Sequence, residues 1–120
     1  MKGICEGLLV LHLSSVIHRD LKPENVMLAF GLPKIADFGW AVYSPDDRRE
    51  TFCGTPLYIS PELILGGSYN KQVDIWALGV MMYEFLTGKI PFRICHNSNL
   101  SQLVFTILHR SPQRLITPKL

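Results

Sequence analysis

Residues 71–87 carry apolar side chains on nearly every face of the helix that their spacing predicts, with Gly88 as a C-terminal stop and Pro91 beyond it. A helix with so little polar surface is a central core helix, held in place by the chain that surrounds it. The rest of the fold must therefore be built around this one element. A length of 120 residues is enough for one core and predicts a single domain, not a multi-domain enzyme. Only 18% of the residues are charged, against about 25% in a typical soluble domain. So much apolar surface argues against disorder and exceeds what a free-standing domain of this size needs to bury.

The remaining elements are shorter. Residues 4–12 have helix-compatible apolar spacing, closed by Ser14 and Ser15. Val16-Ile17 and Val26-Met27-Leu28 are β-prone runs on either side of a polar stretch. Residues 29–33 read as a turn and Lys34-Ile35-Ala36 as the returning strand of a hairpin. From Asp37 to about Ser60 there is no period, and a segment of that kind in a compact domain is usually functional or disordered. Residues 93–120 differ in composition: they hold Arg93, Arg110, Arg114 and Lys119 but no acid, with a short helix predicted over 100–109. The expected class is α+β, mainly α, with 1–92 as the principal unit and 93–120 as a basic tail.

Several function classes drop out on composition. A formal net charge of +2 is too small to argue for a nucleic-acid partner. Cys5, Cys53 and Cys95 are odd in number and lack CxxC spacing, which argues against a disulfide framework or a zinc site and for a reducing, intracellular compartment. The run from Ile4 to Leu13 superficially resembles a signal peptide, but Glu6 interrupts it and no small-residue cleavage site follows. Residues 75–86 are too few to span a bilayer, with Asp74 just before them and Glu84 inside. A soluble protein with no membrane partner is expected.

Chemistry concentrates in His18-Arg19-Asp20-Leu21-Lys22-Pro23-Glu24-Asn25 and in Asp37-Phe38-Gly39. Asp20 with Lys22 two residues on places a proton acceptor beside a fixed cation. Asn25 and Asp37 are hard oxygen donors that a hairpin between them would bring together. Two such donors with open positions suit Mg²⁺, which keeps waters and phosphate oxygens in its shell. Acceptor, cation and magnesium ligands at one point describe phosphoryl transfer, where positioning and charge neutralisation supply most of the catalysis.

These residues, followed by Ser60-Pro61-Glu62 where the usual third motif is Ala-Pro-Glu, resemble the protein-kinase signature set over about residues 4–92. The resemblance implies that Asp20 accepts the substrate hydroxyl proton and Lys22 steadies the γ-phosphate of ATP. It further implies that Asn25 and Asp37 hold Mg²⁺, and that Met27 and Ala36 touch the nucleotide from below. Lys22, with Gly54-Thr55 ahead of Ser60, resembles the serine/threonine class, in which Thr55 would hydrogen-bond Asp20 and Lys22. His18 would pack with Phe38, and Asp74 would tie down the backbone near His18 and Arg19.

A finer likeness lies in Trp40 after Asp37-Phe38-Gly39 and in the segment Arg48-Arg49-Glu50-Thr51-Phe52-Cys53-Gly54-Thr55, which resemble the Aurora family of mitotic kinases. That likeness implies phosphorylation at Thr51, a dianionic group that Arg19 and Arg49 could pair with to order the loop. It also implies that Glu24 favours protein substrates with basic residues near the target Ser or Thr. A regulatory protein partner and a place in the cytoplasm, nucleus or mitotic cytoskeleton follow from the same likeness. No G-x-G-x-x-G and no V-A-I-K-type lysine precedes Asp20. The expected fold is thus a partial kinase domain: the C-terminal lobe with catalytic-loop hairpin, activation segment and central helix, without the N-terminal lobe, and inactive alone. Glu62 would pair with an arginine, for which Arg114 is a stand-in. A non-catalytic interaction module derived from a kinase is the alternative reading.

Overall fold

The computed structural model describes residues 1–46, 48–50, 54–92 and 99–112. The elements run α1 (Lys2–Leu13), β1 (Val16–Ile17), β2 (Val26–Ala29), β3 (Leu32–Ile35), β4 (Val42–Tyr43), α2 (Pro61–Ile64), α3 (Gln72–Thr87) and α4 (Leu100–His109), with 3-10 turns at Pro23–Asn25 and Pro56–Tyr58. The class is α+β, with helices predominating over two small two-stranded sheets.

The helices begin and end where local chemistry dictates. At the start of α3 the Asn70 side chain accepts the Gln72 N–H at 2.9 Å, satisfying a donor that the first turn cannot pair internally. At its end Gly88 takes the left-handed conformation, φ 69°. The Asn99 side chain caps α4 by accepting from Gln102 N–H at 3.0 Å. Helix α1 stops at Ser14, and Ser15 turns the chain at φ 57° into β1.

Strands β2 and β3 form an antiparallel hairpin, with Val26 opposite Ile35 and Ala29 opposite Leu32. Its turn is tighter than the sequence suggests. Only Phe30 and Gly31 are in it, both at positive φ (52° and 75°), the two-residue loop whose twist matches that of paired strands. Leu32 and Pro33 consequently belong to the strand, and Ala36 falls just outside it. Strand β1 does not join this hairpin but pairs with β4, Val16 opposite Tyr43. Residues 37–60, which show no period, thus contribute a strand and the second 3-10 turn, and Arg49 forms an isolated bridge with Tyr69.

Helix α3 divides the core into two clusters. Val73 packs with Ile17, Ile59, Leu63, Tyr69 and Phe92, and with Leu103 and Ile107 from α4. Ala77, Val80 and Met81 pack with Ile4, Leu8, Leu21 and Tyr58. Trp76 touches both and stacks on Phe92, ring centroids 5.6 Å apart. It is partly buried. The described chain covers one side of α3 and leaves Ile75, Met82, Phe85 and Leu86 exposed. On the hairpin, Leu28 and Phe30 are exposed too. The excess apolar content of the sequence sits in these places. No helix among the described residues is long and apolar enough to cross a membrane.

Candidate active site

The loop between β1 and β2 is anchored by a buried carboxylate. Asp74, 1% exposed in the first turn of α3, accepts the backbone N–H of His18 at 2.9 Å and of Arg19 at 2.8 Å. It also accepts from His12 Nε2 at 2.8 Å. A buried charge needs several such donors to offset its lost hydration. Arg19 sits at φ 69° and Asp37 at φ 58°, conformations that cost a non-glycine residue on the order of 1–3 kcal/mol and persist where surrounding contacts over-determine them.

His18 is fully buried, and its tautomer follows from its partners. Nε2 faces the Ala36 carbonyl at 3.0 Å, while Nδ1 receives the Asp20 N–H at 3.3 Å. A carbonyl only accepts and an amide N–H only donates, so the ring is neutral with its proton on Nε2. The His18 and Phe38 rings meet in a T-shaped arrangement, centroids 5.3 Å apart at 68°. This imidazole is a structural link between the loop and the strand end that leads to Asp37.

Asp20 is 7% exposed and lies in a fixed set of donors. Thr55 Oγ1 donates to its Oδ1 at 2.6 Å. Asn25 Nδ2 donates to its Oδ2 at 3.2 Å and to its carbonyl at 2.8 Å. Lys22 Nζ stands 3.3 Å from Oδ2 and donates to Thr55 Oγ1 at 2.9 Å. Since the ammonium only donates, the Thr55 hydroxyl proton must point to Asp20. A carboxylate offers about four acceptor positions, so this one keeps room for a further donor from outside. Gly54 makes the approach of Thr55 feasible. It holds φ 108°, and a Cβ there would come 3.0 Å from the Arg19 carbonyl oxygen, so only glycine fits without strain.

Asn25 and Asp37 are brought together by the hairpin. The Ala36 N–H donates to the Asn25 carbonyl at 2.8 Å, which sets Asp37 next to the residue paired with Asn25. Both Asn25 contacts to Asp20 use Nδ2, leaving its amide oxygen available as a donor to a cation. The Asp37 carboxylate is exposed and accepts only the Gly39 N–H, at 3.2 Å, among the described residues. Two hard oxygens of this kind fit Mg²⁺, which takes one or two protein ligands and fills the rest of its octahedron with water and phosphate. Among the described residues no cluster of three or more His, Cys, Asp or Glu could form an all-protein cage. Met27, 61% exposed on β2, and Ala36 lie on the two sides of the same hairpin.

The predicted regulatory residues are placed in part. Arg19 donates from Nη1 to the Tyr69 hydroxyl at 2.9 Å and from Nε to the Trp40 carbonyl at 2.6 Å. Arg49 exchanges two backbone hydrogen bonds with Tyr69 and donates from its guanidinium to the Tyr43 carbonyl. Both arginines therefore contact Tyr69, Arg19 through its guanidinium and Arg49 through its backbone. Thr51, Cys53, Cys95 and Arg114 lie outside the described residues. Glu62 is only partly buried, and among the described residues it has no ion-pair partner.

Glu24, exposed in the first 3-10 turn, has a neighbour that sequence reasoning missed. The Tyr58 hydroxyl donates to Glu84 of α3. Burial first, then that hydrogen bond and the negative charges of Glu84 and Glu24, push the Tyr58 phenol well above its ordinary value of 10.0. Two carboxylates thus act on one phenol. The only sequence trace of this was a glutamate inside an otherwise apolar helix. His12 and Tyr69 were missed as well, because nothing local distinguishes them from surface residues.

A family model for the protein kinase domain matches residues 1–118. Among curated proteins the chain is 54% identical over 93 residues to Aurora kinase A-B of Xenopus laevis, covering 77% of this chain and 23% of that protein. It is 53% identical over 88 residues to an Aurora kinase of Yarrowia lipolytica, covering 72% and 24%. It is 44% identical over 113 residues to an Aurora kinase of Patiria pectinifera, covering 93% and 28%. The chain thus spans about a quarter of the length of these relatives.

Proposed function

The chain belongs to the protein kinase family and is most like the Aurora kinases, and from that premise we propose that it forms the catalytic-loop part of the C-terminal lobe of a serine/threonine kinase. The reaction is transfer of the ATP γ-phosphoryl group to a Ser or Thr hydroxyl of a protein substrate. The observation that carries this reading is the Asp20–Thr55–Lys22 triangle, with the Asn25 amide nitrogen donating to the same Asp20 carboxylate.

In this mechanism the substrate hydroxyl oxygen forms the new P–O bond as the bond to the ADP leaving group breaks. The hydroxyl proton passes to the remaining acceptor position on Asp20. Thr55 and Asn25 hold the Asp20 carboxylate still, so no reorganisation is needed when the proton arrives. Lys22, already fixed by Asp20 and Thr55, offers positive charge to the group in transfer. Asn25 and Asp37 would hold Mg²⁺, which supplies charge neutralisation on the phosphate oxygens. Met27 offers an exposed apolar surface for a nucleotide base. Glu24 and Glu84, converging on Tyr58, favour a substrate arginine or lysine. Arg19 and Arg49 are the residues that would pair with a phosphate on Thr51, which itself lies outside the described residues.

A second reading, a non-catalytic interaction module, is favoured by the exposed apolar hairpin and by the uncovered side of α3. The 120 residues contain neither a glycine-rich loop to cover the phosphates nor the lysine that pairs with them, so phosphoryl transfer by the purified chain alone is not expected. Nucleotide binding separates the two readings. With Mn²⁺ as a paramagnetic substitute and ADP, NMR signals should broaden around Asn25 and Asp37, and Asp37→Asn should abolish the effect. Absence of local broadening in the unsubstituted chain would favour the module.

A further inference from the structure

Among the described residues, Ser60 carries the one buried side-chain hydroxyl that has no hydrogen-bond partner. The residue is 1% exposed, so bulk water does not satisfy it. Ser60 stands just ahead of Pro61 at the start of α2, where a serine commonly accepts an N–H of the first turn. It makes no such bond. The usual third kinase motif has alanine at this place, so the motif gives the hydroxyl no task.

Beside Ser60 lies a small, largely enclosed cavity between residues 54–60 and the loop after β1. Its wall includes Ser60, Thr55, Asp20 and Asp74, with Val73 and Ala77 on the apolar side. About 10 Å³ is open to the centre of a water-sized sphere, which is room for a single water. Cavities that stay empty are apolar, whereas a water settles where two to four polar partners converge. Ser60 brings one O–H donor and two acceptor positions. Asp74 accepts three N–H groups and so keeps one of the roughly four acceptor positions of a carboxylate.

We propose that this cavity is a binding site for one structural water, held by Ser60 Oγ, which bridges the start of α2 to the back of the catalytic loop. The Ser60 hydroxyl and the water share one hydrogen bond, and the open acceptor position of Asp74 takes an O–H of the water. A buried hydroxyl left alone is a net cost to the fold. With the water it becomes a contact between two segments far apart in the chain. The site goes beyond the kinase reading, since it needs neither nucleotide nor substrate, and it stands or falls independently of phosphoryl transfer.

The test is oxygen-17 magnetic relaxation dispersion on the full chain, which counts long-lived waters and is blind to hydroxyl protons, paired with urea unfolding. Ser60→Ala should lower the count by about one and the urea midpoint by roughly 0.3–1 M. A count that falls, with a midpoint no higher than the parent's, supports the site. An unchanged count, or a midpoint that rises in Ser60→Ala, would mark the hydroxyl as an orphan that holds no water and overturn the proposal. Should Ser60→Ala fail to fold, a crystal structure of the parent decides. An ordered water within hydrogen-bond distance of Ser60 Oγ supports the site, and a dry cavity refutes it.

Discussion

Thr55 donates its hydroxyl proton to Asp20 Oδ1 across 2.6 Å, joining two residues 35 positions apart in the chain. The direction of that proton is forced, because Lys22 already donates to the same hydroxyl oxygen. The threonine orients the carboxylate, and the lysine orients the threonine. This relay converts a loop aspartate into a fixed acceptor with a position left for one further donor.

Replacing the hydroxyl by a methyl tests the relay. Thr55→Val leaves the buried Asp20 Oδ1 without its donor and removes one partner of Lys22, at a cost of about 1–3 kcal/mol. Urea unfolding followed by tryptophan fluorescence should show a lower midpoint with an unchanged slope. Thr55→Ser, which retains the hydroxyl, should stay near the parent.

Asp74 carries more of the structure than any surface acid. Asp74→Ala strands the His18 and Arg19 N–H groups and the His12 ring together. A loss of about 3–5 kcal/mol is expected, a large share of the 5–15 kcal/mol available to a domain. Circular dichroism should show a chain partly or wholly unfolded at room temperature.

Tyr58 sets an alkaline limit. Its phenol titrates higher in the folded chain than its ordinary value of 10.0, through burial and then through Glu84 and Glu24. Between the unfolded and folded values the native state holds the proton more tightly, so stability falls as pH rises. The contribution is fully present below about pH 10 and is lost through the alkaline range above it. Unfolding midpoints across that range should drop more steeply for the parent than for Tyr58→Phe.

Much of this was legible in the chain because it is local. The helices at α1, α3 and α4 follow from apolar spacing and from Gly88, and the Asp20, Asn25 and Asp37 positions follow from short motifs. Asp74 as the anchor of the His18–Arg19 backbone was readable only through resemblance to a family. What periodicity could not show is pairing at long range. Strand β1 meets β4 because Ser15 turns the chain, and two residues are too few to declare a partner. The Phe30-Gly31 turn was blurred because a proline, Pro33, sits inside a strand at an edge that tolerates it. The Tyr58–Glu84 and His12–Asp74 contacts join residues whose neighbours in sequence say nothing of each other. The apolar excess was visible from composition, but its location on one side of α3 and on the hairpin required the fold.

The central claim is that these residues form working catalytic machinery. It is tested most directly by replacing the matching stretch of the Xenopus laevis Aurora kinase A-B with this chain's residues. Phosphate transfer from labelled ATP to a serine peptide carrying an upstream arginine is then measured. The account predicts that the chimera transfers phosphate and that Asp20→Asn in it lowers the rate by roughly 10²–10⁴-fold. A folded chimera that transfers nothing, or one in which Asp20→Asn transfers equally well, would contradict it.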